Sequence, residues 1–210
     1  MKLYKICNKI SLLLHVLASA AGYFVMEAIC RHSFIEAWNY MTEKPLVFAY
    51  NTAFIFTSSL IVYLFHRRVF WRVLVTLFWL ILAIINGVLL LNRVTPFTGP
   101  DLHLITDALK IANKYLPAAG VVAVCILFGI LVILLLILLI KGPKYKNKIK
   151  YRYNIPLILL AVALFAGSTQ LALEKSVLSN YFGNIAFGYE DYTYAYCLAT
   201  AIFNTVISCL

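Results

Sequence analysis

All eight acidic residues of the chain, Glu27, Glu36, Glu43, Asp101, Asp107, Glu174, Glu190 and Asp191, fall at the same alternate junctions between long apolar runs. The other junctions hold no acid and gather twelve of the 18 Lys and Arg. Lys2, Lys5 and Lys9 lie near the N-terminus, Arg67, Arg68 and Arg72 in one short turn, and six basic residues between Lys141 and Arg152 in another. Charge sorted in this way marks a chain threaded back and forth through a membrane, because Lys and Arg are retained on the cytoplasmic side. The basic segments are therefore expected to face in and the acidic ones out. That arrangement requires an odd number of spans, with the N-terminus inside and the C-terminus outside.

Composition agrees with the partition. With 63% hydrophobic residues, 12% charged residues and a mean hydropathy of +0.90, the chain has too little polar surface to cover a soluble globule. The net charge of +10 would suggest a nucleic-acid partner in a soluble protein. Here the excess sits beside helix ends, where it sets orientation and meets anionic headgroups, so nucleic acid is rejected as a partner and the phospholipid bilayer takes its place. Cys7, Cys30, Cys125, Cys197 and Cys209 show neither CxxC nor paired spacing, and so indicate neither a metal site nor a disulfide framework.

A helix needs about 20 apolar residues to cross a hydrocarbon core of ~30 Å. Five stretches qualify, at about 10–30, 45–65, 73–91, 117–140 and 155–173. The first continues past the small residues Ala18, Ser19 and Ala20 and so reads as a retained anchor, longer than a signal-peptide core. Within the outer segment that follows the third span, a helix is expected over about 98–116. Thr98 or Gly99 would cap it, Pro100 and Asp101 would fill its first turn, and Lys110 and Lys114 would lie near its end. Its apolar residues share one face, the pattern of a helix lying on the membrane surface. The tail, 174–210, ends in a stretch long enough to be a sixth span. Thr193, Cys197, Thr200, Asn204 and Ser208 nevertheless line one side of it and Leu198, Ile202, Phe203, Val206 and Leu210 the other. That spacing, with tyrosines crowding its approach, predicts an interfacial helix over about 191–210. The fold class expected is an all-α bundle of five transmembrane helices with interfacial helices.

Four polar residues inside the expected spans stand at one level. Glu27, Asn51, Asn86 and Gln170 lie about 4 to 9 Å below the outer surface at ~1.5 Å per residue, each on a different helix. Polar groups in a span turn toward the bundle interior or a wet cavity. One reading is interhelical hydrogen bonding that holds the bundle together, worth about 1 kcal/mol a pair. The sharper reading is a pocket at headgroup depth, with Arg93 supplying a cation to a lipid phosphate. His15, near the other end of the first span, reads as a hydrogen-bonded structural residue. His103 and Asp107 share a face of the outer helix, but two ligands do not make a metal site. No nucleophilic triad, glycine-rich phosphate loop or catalytic carboxylate pair is present in the sequence.

The stretch Arg93-Val94-Thr95-Pro96-Phe97-Thr98-Gly99-Pro100-Asp101-Leu102 resembles the Arg-x-Thr-Pro-(Leu/Phe)-Thr-x-x-Asp-(Leu/Phe) segment in the membrane half of the lipoteichoic acid synthase and phosphoglycerol transferase family. The residues carrying the motif are Arg93, Thr95, Pro96, Thr98 and Asp101. Tyr189-Glu190-Asp191-Tyr192-Thr193-Tyr194-Ala195-Tyr196-Cys197 is similar to the segment that leads from that family's fifth span to its catalytic domain. The resemblance implies a multi-pass protein of a bacterial plasma membrane, anchoring an outer sulfatase-like domain that is supplied in the same chain or a separate one. That domain takes phosphoglycerol from phosphatidylglycerol with a threonine nucleophile and a divalent metal. Neither the nucleophile nor the metal ligands have counterparts in these 210 residues, so catalytic residues and cofactors are expected elsewhere. The rival expectation is a stand-alone, non-catalytic membrane protein of the VanZ-like kind, concerned with envelope or antibiotic response. A transporter subunit is disfavoured, since the fourth span offers nothing more polar than Cys125.

The orientation is checked by single cysteines placed in a background without the native ones. In intact cells, an impermeant thiol reagent should mark positions beside Glu36, Asp107 and Ser179 and should spare Arg68 and Lys146 until the membrane is opened. Labelling at Lys146 from outside would reverse the topology.

Overall fold

The computed structural model describes residues 11–92, 95–97, 101, 118–145, 149–178 and 185–208. Among them every regular element is a helix. In chain order these are α1 (Ser11–Cys30), α2 (Phe34–Glu43), α3 (Pro45–Ser59) continued by a 3-10 turn (Leu60–Leu64), α4 (Arg68–Asn92), α5 (Ala118–Lys141), α6 (Tyr151–Glu174) and α7 (Ile185–Ser208). Four of the helical segments are long and apolar enough to cross a membrane: Leu12–Cys30, Pro45–Leu64, Arg68–Leu91 and Tyr151–Glu174. The expected 117–140 span is likewise helical, as α5. The helix expected over about 98–116 lies outside the described residues.

The distribution of polarity is inverted relative to a soluble protein. Leu, Ile, Val and Phe side chains stand exposed along α1, α4, α5 and α6, whereas His15, Ser19, Glu27, Asn51, Ser59 and Asn86 are buried. An outer surface of hydrocarbon around an interior that holds the polar groups suits a lipid solvent. The packed centre is formed by α1, α3 and α4, with α7 laid into it at the acidic end. Tyr23, Met26, Ile55, Trp79, Ala83 and Leu198 meet there. No described residue of α6 is buried. It leans on α3 through Phe165, whose ring stacks near those of Tyr50 and Phe54 at 5.1 and 5.6 Å.

Several boundaries differ from the sequence reading, each for a local reason. The third span begins at Arg68, five residues early, because a helix needs no apolar side chain in its first turn and the Arg residues reach the interface from there. The last long span likewise starts at Tyr151 and carries Pro156 inside the helix, where the ring removes the N–H that would bond the Arg152 carbonyl. Between the first two spans the chain forms α2, capped by Ser33, whose hydroxyl accepts from the Glu36 amide at 3.3 Å. His32, at φ 57°, turns the chain into it. The tail helix begins at Ile185 and is broken at Thr193 (φ 63°, ψ 176°), so a further helical piece precedes the one expected over about 191–210 and joins it at a kink.

α1 and α4 are in close contact at Ala83 and Gly87, one turn apart. Ala83 is fully buried, and its carbonyl faces the Cys30 thiol at 3.5 Å. A Cβ at Gly87 would stand 2.9 Å from the Ile29 carbonyl oxygen, a backbone atom that cannot swing aside. Small residues spaced in this way let helix backbones touch in a membrane. Gly87→Ala should therefore lower thermal stability in detergent by about 1–3 kcal/mol through overpacking. Gly22→Ala, where a Cβ meets nothing within 4 Å, should leave it unchanged or slightly raised.

Candidate functional site: a buried polar network at the acidic end

The reversal at His32 folds α2 back over the end of α1 and brings side chains from both onto one ion pair. Glu27 is wholly buried and accepts from Arg31 Nε at 2.6 Å, an (i, i+4) pair that joins the last turn of α1 to the residue just beyond it. The Arg31 guanidinium lies 4.3 Å from the centre of the Tyr40 ring. Tyr40 in turn donates its hydroxyl to the Asp191 carbonyl at 3.1 Å, and Lys44 forms a salt bridge with the Asp191 carboxylate. Hence α2 ties the ion pair to the tail.

Two asparagines fasten the outer segments. Asn51 donates to the Tyr192 carbonyl at 3.1 Å and to the Val47 carbonyl at 3.0 Å, while its Oδ1 accepts the Tyr196 amide at 3.0 Å. These bonds span the kink at Thr193, where helix bonding is interrupted, and the Tyr23 and Thr193 hydroxyls share a hydrogen bond beside it. Asn86 donates to the Cys30 sulfur at 3.4 Å and accepts the Phe97 amide at 2.8 Å. Phe97 is buried and Pro96 wholly so, which anchors the segment following α4 to the bundle. Each amide satisfies backbone groups that the surroundings would otherwise strand away from water.

Of the sequence-selected residues, the structure brings Glu27, Asn51 and Asn86 into this interior and leaves Gln170 exposed on α6. The polar contact of α6 at this end comes instead from Thr169, which shares a hydrogen bond with Tyr50 at 2.8 Å. Arg93 and Thr98 lie outside the described residues; Thr95 is exposed and Asp101 is helical. Sequence reasoning overlooked Arg31 and Tyr40. The four-residue spacing of Glu27 and Arg31 was the available signal for the first. Thr193 and Cys197 were placed on the polar side of a surface helix, yet both are buried against the bundle. Thr193 meets the Tyr23 hydroxyl and Cys197 the Gly188 carbonyl rather than water. At the opposite end of α1, His15 is hydrogen-bonded on both ring nitrogens, to Ser59 Oγ at 2.7 Å and Tyr63 OH at 3.1 Å.

The network retains unspent capacity. Glu27 Oε2 and Arg31 Nη2 are buried without a hydrogen-bond partner among the described residues, and the Tyr189 hydroxyl has the Cys30 thiol for a neighbour. Burial pushes the Tyr40 and Tyr189 phenols well above their ordinary range and Tyr196 up to about 12, so all three remain protonated donors near neutrality. Burial also raises the Cys197 thiol, which removes its nucleophilic form. A cavity of about 270 Å³ opens outward from the network, lined by Arg31, Tyr40 and Lys44 together with Glu36, Glu43 and Glu190. Three carboxylates against two cations, both of them already paired, make this mouth better suited to hydroxyls than to a lone phosphate. No group of three His, Cys, Asp or Glu among the described residues is arranged to hold a metal.

Compared with family models, curated proteins and solved structures, the chain matches none.

Asn51→Ala removes the bonds to the Tyr196 amide and the Tyr192 carbonyl, at a cost of about 1–3 kcal/mol. Amide exchange at 189–198 should accelerate by at least an order of magnitude while exchange in α1 and α4 stays slow. In a variant retaining only Cys197, thiol labelling should be slow in the folded protein and should become fast on adding Asn51→Ala. Equal labelling rates with and without Asn51 would show that the asparagine does not hold the tail.

Proposed function

We propose that this chain is a five-span membrane domain that anchors and orients an outer phosphoglycerol transferase of the lipoteichoic acid synthase type, with α5 as the remaining span and the acidic end facing out. The orientation follows from the charge partition, since the basic turns at 66–72 and 141–152 are held in the cytosol. The observation that carries the functional reading is the use made of the two buried asparagines. They grip the segment after α4 and the tail, the same two segments in which the sequence resembles that family. A chain that spends its buried polar groups on fixing its exit segment presents whatever follows at a set height and angle above the bilayer.

Admission of the lipid substrate is the second part of the role. The unspent acceptor on Glu27 and donor on Arg31 match the hydroxyls of a glycerol headgroup, and the 270 Å³ cavity opens beside Arg31. The divalent metal and the threonine nucleophile belong to the outer domain, which acts in cis or in trans. The chain's residues supply position and headgroup contacts.

Membrane vesicles from cells with and without the gene decide between this role and a stand-alone membrane protein. Supplied with phosphatidylglycerol labelled in its headgroup glycerol, wild-type vesicles should release diacylglycerol and build labelled glycan or polymer. Deletion should abolish both, wild-type chain should restore them, and Asn51→Ala should restore them only in part. Undiminished transfer in the deletion strain would overturn the proposal.

A further inference from the structure

A second cavity lies at the opposite, basic end of the bundle, among α1, α3, its 3-10 extension and α6. Its volume is about 770 Å³, within the range of pockets that hold small organic ligands. The walls are apolar, with Phe56, Leu157, Ala161 and Leu164 among them. From Asn154 at its mouth to Leu164 at its depth the groove follows ten residues of α6, about 15 Å and so roughly half of a ~30 Å hydrocarbon core. That is the reach of one leaflet.

The mouth is cationic and rigid. Arg68 stands between two rings, its guanidinium 3.7 Å from the centre of Tyr145 and 5.3 Å from that of Tyr63. The Tyr145 amide donates to the His66 carbonyl at 2.7 Å, and Asn154 donates to the Tyr63 carbonyl at 3.0 Å, so both rings are held by backbone bonds. Arg68 Nε is buried with no hydrogen-bond partner among the described residues. The chain has no anion to offer it, because none of the eight acidic residues lies in the segments joining helices at this end. α4 and α6 both begin here, at Arg68 and Tyr151, and their N-termini add positive potential. Arg72 and the basic run from Lys141 to Arg152 add more.

We infer that this groove holds a membrane phospholipid with an anionic headgroup, one acyl chain lying along the α3–α6 wall and the phosphate on Arg68. Charge complementarity selects the occupant: a second copy of the chain would bring the same cations to the same mouth. The groove and the outer network sit at opposite ends of the bundle, so this site stands or falls separately from the transferase reading.

Native mass spectrometry of the purified full chain tests it with dioleoyl phosphatidic acid against dioleoyl phosphatidylcholine. Neither probe carries the glycerol headgroup that the outer network is proposed to meet. One tightly retained phosphatidic acid is expected, with Arg68→Gln lowering its retention about tenfold relative to phosphatidylcholine, the factor that one charge-assisted contact carries. Lys144→Gln, which removes a charge at the same end from a residue outside the lining, should lose far less. Ala161→Phe fills the groove without changing charge and should lower retention of both lipids. Equal losses in Arg68→Gln and Lys144→Gln, undiminished lipid on Ala161→Phe, or displacement of the lipid by glycerol 3-phosphate at similar concentration would each overturn the proposal. Thermal unfolding of the three variants separates loss of the site from loss of the fold.

Discussion

The acidic end of this protein depends on a single side-chain amide buried between helices. In a bilayer the hydrophobic effect does not draw one helix against another, since lipid tails are as apolar as the residues they would replace. Hydrogen bonds that cannot be made to water take over part of that work. Asn51 holds Tyr192 and Tyr196 across the kink at Thr193, and the chain at the kink is thereby fastened to the bundle. Asn86 does the same for Phe97 on a smaller scale. Without such partners the broken helix would leave backbone groups unpaired in a dry interior, at a cost comparable to the protein's marginal stability.

The Glu27–Arg31 pair is tolerable for a related reason. A lone carboxylate at zero exposure would be prohibitive, but the guanidinium four residues on neutralises it and spreads its own charge toward the Tyr40 ring. The pair then becomes the floor on which α2 and the tail rest. The two ends of the bundle differ accordingly. At the acidic end, cations meet carboxylates of the same chain. At the basic end Arg68 has aromatic faces for neighbours and no internal anion, so its charge is directed outward.

Much of the architecture was legible from periodicity and charge. The four long apolar helices, and α5 beside them, coincide with the expected stretches because the length of a membrane-crossing helix is fixed by the solvent rather than by packing. Polar residues inside those stretches were equally visible, and Glu27, Asn51 and Asn86 are buried. Gln170 has the same sequence credentials and is exposed, because depth along a helix says nothing of which face is turned inward when the apolar pattern is nearly uniform around it. In α6 that uniformity hid Thr169, one residue away and facing Tyr50.

The tail marks the same boundary most sharply. Its residues alternate polar and apolar at helical spacing, and amphipathicity alone cannot distinguish a helix whose polar stripe meets water from one whose polar stripe meets buried amides. By itself, the sequence determined the all-helical class, the long apolar helices and the sorting of charge between two ends, since each depends only on composition and period along the chain. The tertiary structure alone decided that Thr193 breaks the tail helix, that Asn51 holds the break, and that Arg68 is left facing an apolar groove. Those outcomes depend on which distant residues meet, and one-dimensional spacing does not encode the rotation of each helix about its axis.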